Sequence, residues 1–398
     1  MPHPLPLPRE PDRLSHASTY SMSDASYIEP VGGQRYPIDQ PRWCSNEGRP
    51  LLVTPSSGIS RDDLETSDKS LWRYRAALPV DIANPISMGE GMTPLVQRQW
   101  EDYRPFFKLE FLNPTGSFKD RGTSVMLSYL RQCGVRSILE DSSGNGGSSV
   151  AGYGAAGGVR VKILTPSSTS PGKIAQARAY GAEVQLVEGP REESQAEAIR
   201  QSERTFYASH NWQPFFLEGT KTLAYELWED FGFRVPDNIV VPVGAGSSVL
   251  GLHFGFRELM KAGQITRLPR LFVAQPLNCS PIDASFRAGS DQVVERHVSK
   301  TIAEGASIRQ PIRLKHILAA LRESDGDTIA VTEGEIVDAL RKSCESGFFI
   351  EPTSAVASAA FARLIANGAI KVEEETVVML SGTGLKAATS VVDLIQTT

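Results

Sequence analysis

Phe107-Lys-Leu-Glu-Phe-Leu-Asn-Pro-Thr-Gly-Ser-Phe-Lys-Asp-Arg-Gly122 is the stretch around which the rest of the chain can be organised. Phe107, Leu109 and Phe111 alternate with Lys108 and Glu110 at period two, which predicts a half-buried strand running into a turn at 113–116. Ser117 is then placed to cap a helix whose apolar positions Phe118, Val125, Met126, Tyr129 and Leu130 recur at three- and four-residue spacing, with Asp120 in the first turn complementing the dipole. Lys119 therefore falls at a strand-to-helix junction, and in an open α/β sheet ligands occupy the crevice beyond the strand's carboxyl end. A cation in the first helical turn opposes the macrodipole at a cost of roughly 0.3–1 kcal/mol. An amine in such a positive, desolvated place has its pKa lowered, as a Schiff-base lysine requires. The competing reading makes Lys119 an ordinary surface cation at a helix start.

The 398 residues are enough for two domains with filled cores, and 40% apolar with 22% charged residues describes a globular, soluble chain. A net charge of −5 disfavours nucleic acid or an anionic membrane as the main partner. No window approaches the length of uninterrupted apolar sequence that a membrane span needs. The Pro-rich start lacks a basic and then apolar leader pattern, so no secretory signal is expected and a cytoplasmic location is. Cys44, Cys133, Cys279 and Cys344 form no Cys-x-x-Cys pair, and the 6 histidines no His-x-x-x-His pair, so neither a metal site nor a disulfide framework is expected.

Residues 1–30, rich in Pro, Ser and Asp, are expected to be a disordered tail, followed by an irregular segment over 31–69. After Lys119 the pattern becomes strand, loop and helix in alternation. Strands are predicted over 137–141, 159–164, 184–187, 238–243, 271–274, 328–331 and 375–380, with helices over 171–180, 192–205, 249–261, 333–346 and 355–367. That alternation predicts an α/β fold of parallel sheets with right-handed crossovers. A polar and aromatic break over 207–216 divides it, giving a small α/β domain at 116–215 and a large one from 70–115 and 216–398.

Loops at the carboxyl ends of parallel strands converge on one crevice. Those at 113–118, 142–147, 244–248 and 381–384 are polar or glycine-rich. Gly244-Ala-Gly-Ser-Ser248 offers backbone N–H groups and two hydroxyls at a helix N-terminus, a phosphate cradle, or else only a tight turn. Ser142-Ser-Gly-Asn-Gly-Gly147 suits a carboxylate or a ring hydroxyl, or else caps a helix. Gly152-Tyr-Gly-Ala-Ala-Gly157 fits Gly-x-Gly-x-x-Gly but lies inside a predicted helix without a ribose-binding acid downstream, so helix-packing glycines explain it better than a nicotinamide site.

Taken in order, Gly-Glu-Gly-Met-Thr-Pro-Leu at 89–95, Asn-Pro-Thr-Gly-Ser-Phe-Lys-Asp-Arg-Gly at 113–122, Ser-Ser-Gly-Asn at 142–145, Glu-Gly-Thr-Lys-Thr at 218–222, the loop at 244–248 and Ser-Gly-Thr-Gly-Leu-Lys at 381–386 resemble the fold-type II pyridoxal-phosphate enzymes, most closely the threonine synthases and their paralogues. The resemblance covers about residues 70–390. It implies two open, mostly parallel-sheet domains with pyridoxal 5'-phosphate between them, and a homodimer. It makes Lys119 the Schiff-base lysine and general acid/base. Phe118 would lie near the cofactor ring, Asn145 would bond its 3-hydroxyl, and Gly244, Ala245, Gly246, Ser247 and Ser248 would hold its phosphate. Ser381, with Thr383 nearby, would face the pyridine nitrogen, a neutral partner that favours elimination or replacement over transamination. Ser142, Ser143 and Gly146 become candidates for the carboxylate of a small amino-acid substrate. A threonine synthase would convert O-phospho-L-homoserine and water to L-threonine and phosphate. Two segments depart from the family's pattern for holding the substrate phosphate: Pro190 replaces the usual asparagine of 188–191, and 209–214 carries an added aromatic. The segment before the core resembles a zinc ribbon that keeps only Cys44. The alternatives are a paralogue catalysing cysteate-type β-replacement or serine/threonine deamination, and a cofactor-binding subunit without turnover.

Overall fold

The computed structural model describes residues 25–142, 144–169 and 171–396. Two sheets carry the site. The larger has six strands in the order Asp327–Val331, Arg270–Pro276, Asn238–Pro242, Thr376–Met379, Phe106–Lys108 and Leu95–Gln97, all parallel except the last. Its central strand, Asn238–Pro242, is buried along its whole length, as an unbroken apolar run covered on both faces should be. The smaller sheet is wholly parallel, in the order Glu183–Val187, Arg160–Pro166, Ser137–Glu140 and Phe206–Tyr207. The succession of strands and helices follows the alternation read from the sequence, and the helix Asn145–Gly157 contains the whole 152–157 glycine pattern. Those glycines do pack closely: a Cβ on Gly154 would stand 2.3 Å from Val161 Cγ2, and one on Gly157 2.3 Å from Ile86 Cδ1.

Several local expectations are corrected. The strand predicted through Phe111 ends at Lys108, and Glu110–Leu112 is a 3-10 turn. Lys108 and Glu110 do not face water, since both are completely buried. Lys108 Nζ meets Glu226 at 2.7 Å and Asp230 at 2.6 Å, while Glu110 meets Arg121 at 2.7 Å. Period two assigns these side chains to one face; the helix Thr222–Asp230 sets carboxylates against Lys108, and Arg121 of the Lys119 helix meets Glu110.

Ser117 does not cap the following helix. Phe118 is the N-cap of Lys119–Gln132, and Ser117 Oγ is buried without a hydrogen-bond partner among the described residues. The backbone of Ser117 bridges Gly382 instead.

Residues 1–24 of the expected tail lie outside the described residues. From Ser26 the chain is already ordered: Arg35–Pro37, Ser26–Ile28 and Leu52–Val53 make a small antiparallel sheet. Tyr27 is fully buried in it, and its hydroxyl lies 2.5 Å from that of Tyr129 on the Lys119 helix.

Candidate active site

Lys119 opens its helix at the end of the turn that follows Phe106–Lys108. The turn is tied to the 381–384 loop by Phe118 N–H to Ser381 O at 3.0 Å and Thr383 N–H to Gly116 O at 3.0 Å. Lys119 is half-buried as a residue, and its amine lies 4.4 Å from the centroid of the Phe118 ring and 5.8 Å from that of Phe216. Burial and the nearby Arg191 cation push its pKa down to about 8, against the pull of Glu140 and Glu351. This is the poised amine that the sequence position implies.

The glycine loop is held at a set distance from this lysine by the short helix Pro214–Thr220. On one side a Cβ on Gly219 would stand 2.2 Å from Arg121 O, so only glycine allows this approach to the Lys119 helix. On the other side Thr220 Oγ1 donates to Ser247 O at 3.0 Å. The helix Ser247–Lys261 begins at Gly246, which sits at φ 95° and has no side chain to satisfy the first-turn N–H groups. Ser247 and Ser248 occupy that uncapped turn, an arrangement suited to an anion.

Asn145 starts its helix in the third loop. Its amide donates to both oxygens of Glu351, at 2.9 and 3.1 Å, and its carbonyl accepts from Lys386 Nζ at 3.0 Å. Burial raises the Glu351 carboxyl, with Lys386 opposing. Ser381 Oγ lies 3.2 Å from Ser354 Oγ, and Thr383 Oγ1 accepts from Leu385 N–H at 3.3 Å. Ser142 is buried, with its Oγ 2.9 Å from where a Gly146 Cβ would be. Ser143 lies outside the described residues. Three of the four loops thus meet, since 113–118 touches 381–384 and Gly382 faces Glu351 and Asn145, and Gly219–Thr220 links the lysine helix to the fourth, 244–248.

Arg191 and His210, which fall in the two segments that the resemblance ties to a substrate phosphate, lie near Lys119 together with Glu140 and Glu351, to which the sequence assigns no role. Arg191 is half-buried at the start of Arg191–Gln201, and its charge acts on Lys119, Glu140, Asp141 and His210. His210 Nδ1 lies 3.0 Å from Glu140 Oε1, and its ring packs edge-on to Phe216. Glu351 stands directly before the helix-starting Pro352, where an acid reads as a cap; it makes no cap bond and faces Asn145 instead. Lys221, by contrast, is buried away from the lysine, bonded to Glu218, Glu258 and Ala77 O.

The sequence profile described as "Pyridoxal-phosphate dependent enzyme" matches residues 86–382. Threonine synthase of Methanocaldococcus jannaschii is 34% identical over 338 residues, 82% of this chain and 83% of the relative. That of Methanosarcina acetivorans is 33% identical over 347 residues, 85% of each. Among solved structures, an L-serine ammonia-lyase from Rhizomucor miehei aligns with a TM-score of 0.67 at 20% identity, over 76% of this chain and 97% of that one. The processed form of threonine deaminase isoform 2 from Solanum lycopersicum aligns with a TM-score of 0.66 at 22% identity, over 91% and 96% of the two chains. Both show the shared fold.

Proposed function

The chain belongs to the pyridoxal-phosphate dependent enzyme family, and from that premise we propose that it is a threonine synthase-type lyase which converts O-phospho-L-homoserine and water to L-threonine and phosphate. The observation that carries the reading is Lys119: a half-buried lysine whose amine is lowered to about 8, where loops of both sheets meet. The choice of substrate is supported by the curated relatives named threonine synthase and by Arg191, a cation near the amine that suits a phosphate.

The residues present fit the cofactor. The uncapped first turn at Ser247 and Ser248, with Gly244, Ala245 and Gly246 before it, would take its phosphate. Phe118 would lie against its ring, with Ser381 and Thr383 at its nitrogen. Asn145, held by Glu351 and Lys386, would exchange one of its bonds for the ring hydroxyl. When bound, the cofactor withdraws electrons from the amino acid's α-carbon and so acidifies the α-proton.

Lys119, in its neutral form, removes that proton. The Phe118 and Phe216 rings beside it keep bulk water from the amine. Ser142 and Gly146 would receive the substrate carboxylate at the start of the Asn145 helix, and Ser143 joins them on the resemblance alone. The same resemblance extends to a cytoplasmic homodimer, for which mass in solution is the test.

A second reading, β-elimination or β-replacement on an unphosphorylated amino acid, is favoured by one observation. Pro190, which offers no polar side chain, is the N-cap directly before Arg191. Product analysis with phosphohomoserine, phosphoserine, serine and threonine separates the two. Phosphate and threonine from phosphohomoserine support the first; ammonia from serine or threonine alone supports the second; and no product from any of them refutes both.

A further inference from the structure

Beside Gly146 and Phe216 lies a pair of groups that neither cofactor binding nor Lys119 accounts for. Glu140 is the last residue of the strand Ser137–Glu140 and is completely buried. Its Oε1 lies 3.0 Å from His210 Nδ1, and its Oε2 accepts from His210 N–H at 3.1 Å. The carboxylate therefore fixes both the backbone and the ring of one residue. The ring is further confined by Gly146, where a Cβ would stand 2.7 Å from His210 Cε1 and Nδ1, and by Phe216, whose centroid is 5.6 Å from its own. Phe216 also flanks the Lys119 amine. His210 and Lys119 thus lie on one aromatic ring, beside the loop that would take the substrate carboxylate.

This carboxylate differs from those that hold the fold together. Glu110 and Glu226 meet Arg121 and Glu218 meets Lys221 at contact distance, whereas the ion-pair partner of Glu140 among the described residues is an imidazole. The neighbouring Asp141 is engaged separately, by Tyr207 Oη at 2.7 Å and Ser209 Oγ at 2.9 Å.

We propose that His210 and Glu140 form a proton relay opposite Lys119, in which His210 exchanges a proton with the group that leaves or enters at the substrate's β- or γ-carbon and Glu140 resupplies it through the ring. This rests on the lyase reading above and adds to it a second proton-transfer residue, His210, with Glu140 as the residue that positions and recharges it. Because Nδ1 is committed to Glu140, Nε2 is the nitrogen that serves the substrate. With Glu140 protonated, its O–H donates to Nδ1 and Nε2 carries the ring's proton. As the carbon–oxygen bond breaks, the electron pair stays with the departing oxygen. Nε2–H protonates that oxygen, and the Glu140 proton passes to Nδ1. The ring begins and ends neutral, and Glu140 ends as a carboxylate. Addition of water runs the reverse: Nε2 takes a proton from water as the new carbon–oxygen bond forms, and Nδ1–H returns its proton to Glu140.

The charges around the pair suit this exchange. Burial pushes Glu140 up to about 7, with Arg191 and Lys119 opposing. Burial and the same two cations hold His210 well below the usual imidazole range, against Asp141. Near neutrality the imidazole is therefore uncharged beside a carboxyl that can be found in either state.

The test uses the cofactor-loaded protein labelled with 15N-histidine, with H210N identifying the resonances among those of the 6 histidines. The Nε2 resonance of His210 is expected to move between protonated and unprotonated positions with a midpoint near pH 7, and E140Q should abolish that movement. In parallel, H210N should slow product formation at least about 100-fold. Exchange of the substrate α-proton with solvent deuterium, which is Lys119's work, should change less than about threefold. An Nε2 signal that stays fixed across pH 5.5–8.5, or product formation in H210N within about threefold of wild type, overturns the relay. So does an equal fall in exchange and product, which marks a merely structural histidine. If H210N does not fold, the E140Q titration and its pH–rate profile decide. If wild type forms no product from any of the four substrates above, it is the lyase reading that fails, and the nitrogen titration still reports on the pair.

Discussion

Glu226→Gln isolates the buried charge network beneath Lys119. Glu226 Oε1 accepts from Lys108 Nζ at 2.7 Å, Arg121 Nη2 at 2.9 Å and Thr93 N–H at 2.9 Å; Oε2 accepts from Arg121 Nη1 at 2.7 Å and Met92 N–H at 2.8 Å. Every neighbour within reach is a donor. A glutamine of the same shape must turn its NH2 toward one of these sets, which places donor against donor and leaves Lys108 with Asp230 as its remaining contact carboxylate. Breaking one partner out of a buried ion network costs about 3–5 kcal/mol. The expected result is a fall of that size in unfolding free energy, read as a lower urea midpoint at unchanged slope. Lys108→Met alone should also destabilise, and the double variant should fall short of the sum by about 1–3 kcal/mol because the two share a contact. The sign with pH follows from the carboxyl's environment. Burial alone would raise Glu226, but Arg121 and Lys108 hold it well below the carboxylate range. Its stabilising contribution is therefore present above the unfolded pKa of about 4 and is lost as pH falls below it, so the gap between wild type and variant should narrow in acid. A loss under about 1 kcal/mol at neutral pH, or an additive double variant, refutes the reasoning.

Other outcomes follow from single contacts. Lys119→Ala should abolish the absorbance near about 410–420 nm that the cofactor gains on joining a lysine, and a yellow, active variant would refute its role. Cofactor capture by the free protein should rise with pH about a midpoint near 8. Arg191→Gln should move that midpoint upward, since removing a neighbouring cation favours the charged amine; a downward or absent shift counts against the placement of Arg191. Gly154→Ala should cost about 1–3 kcal/mol in urea unfolding through its clash with Val161, while cofactor affinity stays unchanged; a loss of affinity would revive a ligand role for the 152–157 glycines.

Lys119, the glycine loop and the serine loop were legible because each is a local signal, a turn chemistry at the edge of a hydrophobic run. The order of strands and helices was legible for the same reason. What covers a face is not local. Lys108 and Glu110 alternate correctly with their apolar neighbours, yet the carboxylates that meet Lys108, Glu226 and Asp230, lie over a hundred residues away, and Glu110 is met by Arg121 from the next helix. Ser117 has the identity of a cap, but its backbone is claimed by Gly382. His210, Glu140, Arg191 and Glu351 stand on separate elements, and no spacing in the sequence joins them. Histidine at 210 and the acid before Pro352 were visible as residues; their contacts required the fold.

The short helix Pro214–Thr220 behaves as a gauge block. Gly219 sets it flush against the backbone of the lysine helix, and Thr220 pins it to the start of the glycine loop. The separation between reactive amine and anion cradle is thereby fixed by a rigid part in which a single added carbon would show. Upstream of that part Gln213 caps the helix, its Oε1 accepting from Phe215 N–H at 2.6 Å, and Ser209 holds Asp141, so position 210 is a place where the side chain can change without disturbing the separation. A lineage can therefore retool which side chain meets the substrate at position 210 while inheriting the cofactor's seat intact, which is how one scaffold can come to serve several amino acids.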